Sequence, residues 1–216
     1  MRSKRSLVLA GILWTASLLS ACATGSRFTR PSFDAIELGT TRYDDVVAAI
    51  GKPQRTGTSI ESGATFDTAS WYYAKPGGRG VVPVRTLTVQ FHDGVAVGRV
   101  YSSTIPEDST NFDSVLAAKI VEGESTVAEV ERLLGQPSGY WIHPLVKGES
   151  DRAIAYVYAE RAGSRYSFKR LTVTHGPDGV VKDVEYASVG DAGPAADPLA
   201  DPVPVESTRP SGAVSE

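Results

Sequence analysis

Apolar and polar residues alternate with two periods in this chain, one helical and one extended. Tyr43, Val46, Val47 and Ile50 recur at the three- and four-residue spacing that puts side chains on one face of a helix, and so do Val127, Val130 and Leu134. Thr41 with Asp44, and Thr126 with Glu129, supply candidate amino-terminal caps. Gly51 and Gly135 suit the residue that ends a helix, and Pro53 and Pro137 forbid its continuation. A shorter helix is expected before each, over 32–36 and 112–119. The period then drops to two. Leu87, Val89 and Phe91 alternate with Thr86, Thr88 and Gln90, which predicts a half-buried strand. Residues 70–74 and 153–159 are rich in aromatic and branched side chains and predict further strands. Asp93-Gly94 and Asp178-Gly179 predict turns into a last strand ending near Tyr101 or Tyr186.

The two sets of elements are copies. Gly39, Val46, Gly51 and Pro53 recur 84 positions later as Gly123, Val130, Gly135 and Pro137. Leu87-Thr88-Val89 recurs as Leu171-Thr172-Val173, and Tyr72 aligns with Tyr156 at the same spacing. The expected fold is therefore α+β, in two tandem repeats, each of two helices followed by a three-stranded antiparallel sheet. The units span 32–105 and 111–189. Residues 190–216 carry Pro194, Pro198, Pro202, Pro204 and Pro210 among few apolar residues and read as a disordered tail. Gly77, Gly78 and Gly80 read as a loop rather than a phosphate cradle, because no helix follows them.

The amino terminus follows another pattern. Arg2, Lys4 and Arg5 precede an apolar run from Leu7 to Leu19, thirteen residues where a membrane span needs about 20. Leu19-Ser20-Ala21-Cys22 then has the order of a bacterial lipobox. Residues 1–21 are read as a lipoprotein signal peptide, Cys22 as the lipidation site, and 22–31 as a lipidated tether. Several acyl chains on one residue hold a protein firmly on a bilayer. Ala23, not Asp, follows the cysteine, which resembles the outer-membrane address of enteric lipoproteins.

Charge narrows the partners. Three of the 22 basic residues precede Cys22, which leaves 19 against 25 acidic residues in the remainder. With no basic cluster, a nucleic-acid partner is not expected. Cys22 is the single cysteine, so no internal disulfide is possible. His92, His143 and His175 lack the spacing of a shared metal site, and no serine lies in a G-x-S-x-G setting. No catalytic residue, metal site or cofactor is expected. Candidate partner-binding residues are the strand aromatics Trp71, Tyr72, Tyr73, Tyr156 and Tyr158, since rigid rings on a sheet face suit a protein interface. The other reading of the same rings is core.

Gly39-Thr40-Thr41, Ile50-Gly51-Lys52-Pro53, Trp71-Tyr72-Tyr73 and Arg85-Thr86-Leu87-Thr88-Val89, downstream of a lipobox, resemble the SmpA/OmlA (BamE-like) outer-membrane lipoprotein domain, here in tandem. The paired arrangement is also similar to the tandem fold of β-lactamase inhibitor proteins. The first resemblance implies a non-enzymatic lipoprotein on the periplasmic face of the outer membrane. It would act as a scaffold or accessory factor in envelope or β-barrel protein assembly, through contacts with envelope proteins. The second implies an inhibitor-like or receptor-like periplasmic binding protein that uses a concave tandem-sheet surface.

Overall fold

The computed structural model describes residues 24–61, 63–75 and 82–190. The signal segment, Cys22, the glycine loop at 77–80 and the tail from 191 onward lie outside the described residues.

The expectation of two tandem repeats, each of two helices followed by a three-stranded antiparallel sheet, is overturned. The described residues build one continuous nine-stranded sheet, antiparallel at every pairing, with four short helices. The first half holds β1 (Thr24–Gly25), α1 (Arg30–Asp34), α2 (Tyr43–Ile50), β2 (Arg55–Glu61), β3 (Ala64–Ala74), β4 (Val84–His92) and β5 (Val95–Ser103). A 3-10 turn at Pro106–Asp108 leads into the second half. That half holds α3 (Ser114–Ala117), α4 (Val127–Leu134), β6 (Gly139–Ile142), β7 (Arg152–Ala162), β8 (Arg165–His175) and β9 (Val181–Val189). Each half has two helices and then four strands, because a further strand, the polar β2 or the short aromatic β6, comes between the second helix and the long strand β3 or β7.

The halves fuse where β5 pairs β6, with Gly98 opposite Trp141, Arg99 opposite Tyr140 and Val100 opposite Gly139. The Tyr101 amide extends this ladder to the Ser138 carbonyl at 2.7 Å. A cation–π stack locks the seam on its helix side. The Arg99 guanidinium lies 4.4 Å from the Phe33 ring and 5.0 Å from the Tyr140 ring, and it donates to the Phe33 carbonyl. Arg30 also lies over the Phe33 ring, 4.8 Å from its centroid, and donates to the Pro137 carbonyl across the seam. Desolvated cation–π contacts of this kind are worth about 1–2 kcal/mol each.

Local chemistry sets the helices. Asp45 accepts from the Arg42 amide at 3.0 Å, and Glu129 from the Thr126 amide at 3.0 Å, so α2 starts one residue later than Thr41 suggests. Thr41 instead accepts from the Glu37 amide at 2.8 Å, closing the turn before the helix. Gly51 and Gly135 end the helices at φ 96° and 83°, a region that a side chain disfavours. From Thr24 onward, the stretch expected as a tether is part of the fold. Thr24 and Gly25 pair with Ala74 and Tyr73, Phe28 is 1% exposed, and α1 begins at Arg30. Phe28 supplies the reason, since it packs edge-on to Tyr101 at 6.2 Å.

All four helices lie on one side of the sheet. Beneath them Phe28, Phe33, Val46, Trp71, Leu87, Val89, Phe91 and Tyr101 form one core, and Phe112, Val130, Ile154, Tyr156, Leu171, Val173 and Val181 form the other.

Candidate binding face

Residues in a strand alternate between faces, so each strand that sends core side chains under the helices sends the rest to the opposite side. Cross-strand pairing aligns those residues in rows. One row runs Arg55, Ser70, Thr88, Val100, Gly139, Ala155, Thr172, Glu185 across eight strands. The next runs Gly57, Thr68, Gln90, Gly98, Trp141, Ala153, Thr174, Asp183. Threonine and serine hydroxyls flank a centre of small residues, and Ser70 and Thr88 share a hydrogen bond at 3.1 Å.

Trp141 stands at that centre. Its indole donates to Gln90 Oε1 at 2.9 Å. A Cβ on Gly98 would lie 2.4 Å from the indole Cδ1 and 2.6 Å from Leu145 Cδ1. The glycine is what lets both apolar groups settle on the sheet. Gly139 is nearly as confined, its virtual Cβ 3.1 Å from the Cβ of Ala155. The face thus sets the half-buried Trp141 at its centre among uncharged donors and acceptors, with Arg55 at one end of the row and Asp183 and Glu185 at the other. Such a surface suits non-covalent contact with a polypeptide.

The sequence-predicted aromatics divide between the two sides. Trp71 is fully buried under the helices and donates its indole N–H to the Gly51 carbonyl at 2.8 Å. Tyr156 is 2% exposed and donates its hydroxyl to the Gly135 carbonyl at 2.8 Å. Burial raises its pKa, and Glu131 adds to the effect. Tyr73 packs against the first core under the Arg85 guanidinium, at 5.7 Å. Tyr158 lies on the same side as Tyr156. Burial and its 2.8 Å hydrogen bond to Glu160 push its pKa up to about 12. Tyr72 alone of the five points to the helix-free side. Trp71 and Tyr156 each tie a strand to the glycine that caps a helix, so Trp71, not Tyr72, is the counterpart of Tyr156. The spacing has slipped from 84 to 85 residues before β7, and a one-residue slip in a strand exchanges its faces. Trp141, Gln90 and Gly98 are not among the candidate binding residues that the sequence suggests. A tryptophan 43 residues after a glycine in a neighbouring strand leaves no local signal.

The histidines stay apart. His92, His143 and His175 each face a backbone carbonyl, those of Thr65, Val146 and Gly176. Among the described residues no three His, Cys, Asp or Glu side chains gather. A groove of about 510 Å³, lined by Tyr43, Thr56, Thr58, Asp67 and Phe91 among others, opens on the helix side between α2 and the β2–β3 hairpin.

No family model and no curated protein matches the chain, so the resemblance to the SmpA/OmlA domain gains no support there. Among solved structures, the chain is similar to a "putative beta-lactamase inhibitor protein" of Streptococcus mutans, at 16% sequence identity and a TM-score of 0.42. The match covers 73% of this chain and 94% of that one. At that distance the likeness carries no statement of what this chain binds.

Proposed function

We propose that this chain is a non-enzymatic binding protein of the bacterial envelope, anchored by lipid at Cys22 to the periplasmic face of the outer membrane, which holds a protein partner on its helix-free sheet face. The observation that carries the reading is the one-sided placement of the helices: among the described residues the helices pack on the core side, and none lies over the opposite face, where Trp141 and Leu145 are seated at Gly98. Trp141 gives that face an anchor of the kind that concentrates binding energy at protein interfaces. The lipobox order around Cys22 motivates the anchor. Service to β-barrel assembly is one identity for the partner, motivated by the sequence resemblance alone. A soluble periplasmic enzyme, held as an inhibitor would hold it, is the other.

Site-specific photo-crosslinking in living cells tests the reading. A photoreactive residue at Thr88 or Thr172 is expected to give one discrete adduct, and the same residue at Glu131 on α4 to give none. Equal adducts from both sides, or none from the face, would remove the proposal. The mass of the adduct separates an assembly component from a soluble enzyme. The anchor is tested separately: Cys22→Ser should abolish palmitate labelling and move the protein from the detergent phase to the aqueous phase.

A further inference from the structure

The seam between β5 and β6 is a pairing that this chain can make a second time, with another copy of itself. The two outer edges of the sheet are the counterparts of the two strands that meet there. β9 follows β8 as β5 follows β4, and β2 precedes β3 as β6 precedes β7. Among the described residues, β9 pairs only with β8 and β2 only with β3.

The hydrogen bonds of the halves fix the correspondence. Gly39 and Gly123 amides bond the carbonyls of Ala96 and Val181, each at 2.8 Å. Tyr43 and Val127 amides bond Gly94 and Gly179. Residues of β5 and β9 therefore correspond at a spacing of 85, and those of β2 and β6 at 84. Carried over to the outer edges, the seam register sets Asp183 opposite Gly57, Val184 opposite Thr56 and Glu185 opposite Arg55. Glu185 and Arg55 carry opposite charge, stand on the same face and meet as a direct cross-strand pair. At the seam itself the equivalent residues are Val100 and Gly139.

Two further observations mark β9 as the edge where this occurs. Tyr101, in β5, is fully buried, whereas Tyr186, its counterpart in β9, is 49% exposed, and Val189 is 45% exposed. The Val184 amide, which corresponds to the Arg99 amide facing β6, accepts no strand. Instead it donates to Glu122 Oε1 at 3.0 Å. The Glu122 carboxylate occupies the position that a neighbouring strand's carbonyl would take. Natural sheets protect open edges with charged side chains in this way.

We propose that two copies of this chain join head to tail, β9 of one to β2 of the next, in the register of the internal seam and with Glu122 as a displaceable cap. Such an interface is heterologous and extends into open chains rather than closing as a dimer.

The test uses the full mature chain with Cys22→Ser, so that introduced thiols are the only ones. In Arg55→Cys/Glu185→Cys the two thiols stand about 33 Å apart within one molecule, seven strand spacings of roughly 4.8 Å. An internal disulfide is therefore excluded, and a bond can form only between copies. Mild oxidation is expected to give a ladder of dimers, trimers and longer species. Arg55→Cys/Ala187→Cys, out of register by two residues, is expected to give about tenfold less. Adding Glu122→Ala should strengthen the ladder, and by sedimentation should raise the mass average with concentration in the variant without cysteines. Ladders of equal strength from both cysteine pairs would show random collision and overturn the register. A single-chain band together with a concentration-independent mass for Glu122→Ala would overturn the association altogether.

Discussion

Tyr101 and Tyr186 occupy the same place in the two halves of the sheet, opposite Leu87 and Leu171 on the helix side, yet one is sealed and the other half in water. The difference comes from the neighbours. β5 is an interior strand, with β6 beside it and Phe28 and Phe33 above Tyr101. Among the described residues β9 is an edge, and no aromatic pair roofs it. The first core is built largely from rings, Phe28, Phe33, Trp71, Phe91 and Tyr101, and the second largely from aliphatic residues around Phe112 and Tyr156. The same order of elements thus gives a half that others lean on and a half that ends the molecule. Position in the sheet decides a residue's worth more than its identity.

The largest expected effect follows directly. Tyr101→Ala should destabilise the protein by about 3–5 kcal/mol in denaturant unfolding, while Tyr186→Ala should cost under about 1 kcal/mol. Comparable losses would erase the contrast.

Next comes the polar network that follows β5, for which the described residues show no counterpart after β9. Asp108 accepts from Arg85 Nε at 2.7 Å, from Ser103 Oγ at 2.7 Å and from the Tyr101 hydroxyl. Asp108→Asn should cost roughly 1.5–3 kcal/mol, as for hydrogen bonds to a charged group. Its pH dependence has a definite sign. Burial would raise the carboxyl's pKa, but the bonds from Tyr101, Ser103 and Arg85 hold it below the usual aspartate value. Its stabilisation is therefore complete above the unfolded pKa, about 3.9, and is lost as pH falls through the lower folded value. Acid titration of unfolding free energy should show that loss in the parent and a flatter acid limb in Asp108→Asn.

Gly98 and Asp183 give a third contrast. Gly98→Val must push aside Trp141 and Leu145, at an overpacking cost of about 1–3 kcal/mol with a change in indole fluorescence. Asp183→Val, at the equivalent edge position, should stay within about 0.5 kcal/mol. The last variant is Tyr156→Phe. It removes the hydroxyl bond to Gly135 and should cost about 1 kcal/mol. Full stability in that variant would mean that the strand-to-cap tie contributes nothing.

These contrasts also mark what the sequence could and could not show. Helix caps and Asp-Gly turns are short-range chemistry, so Thr126 with Glu129, Gly51, Gly135 and Asp93-Gly94 were readable in place. β2 was not, because Arg-Thr-Gly-Thr-Ser-Ile-Glu has no run of apolar residues to announce a strand. The fusion of the halves was hidden for a different reason. Pairing of Gly98 with Trp141 spans two intervening helices, and the hydrophobic period is the same whether the units stand apart or share a sheet. The slip that exchanges the faces of Tyr72 and Tyr156 turned on one inserted residue, which no periodicity reveals. Hence Trp71 and Tyr156 were open between interface and core, and the residues at the centre of the helix-free face were missed.

The earliest strand has a mechanical consequence. Thr24 is fastened to Ala74, two positions beyond Cys22. At no more than about 3.6 Å per residue, a membrane attached at that cysteine would have roughly 7 Å of slack. A body on so short a leash could not turn freely: under the proposed lipid anchor the end of the sheet where β1 pairs with β3 would lie next to the bilayer, and whatever docks would approach at an angle set by that end.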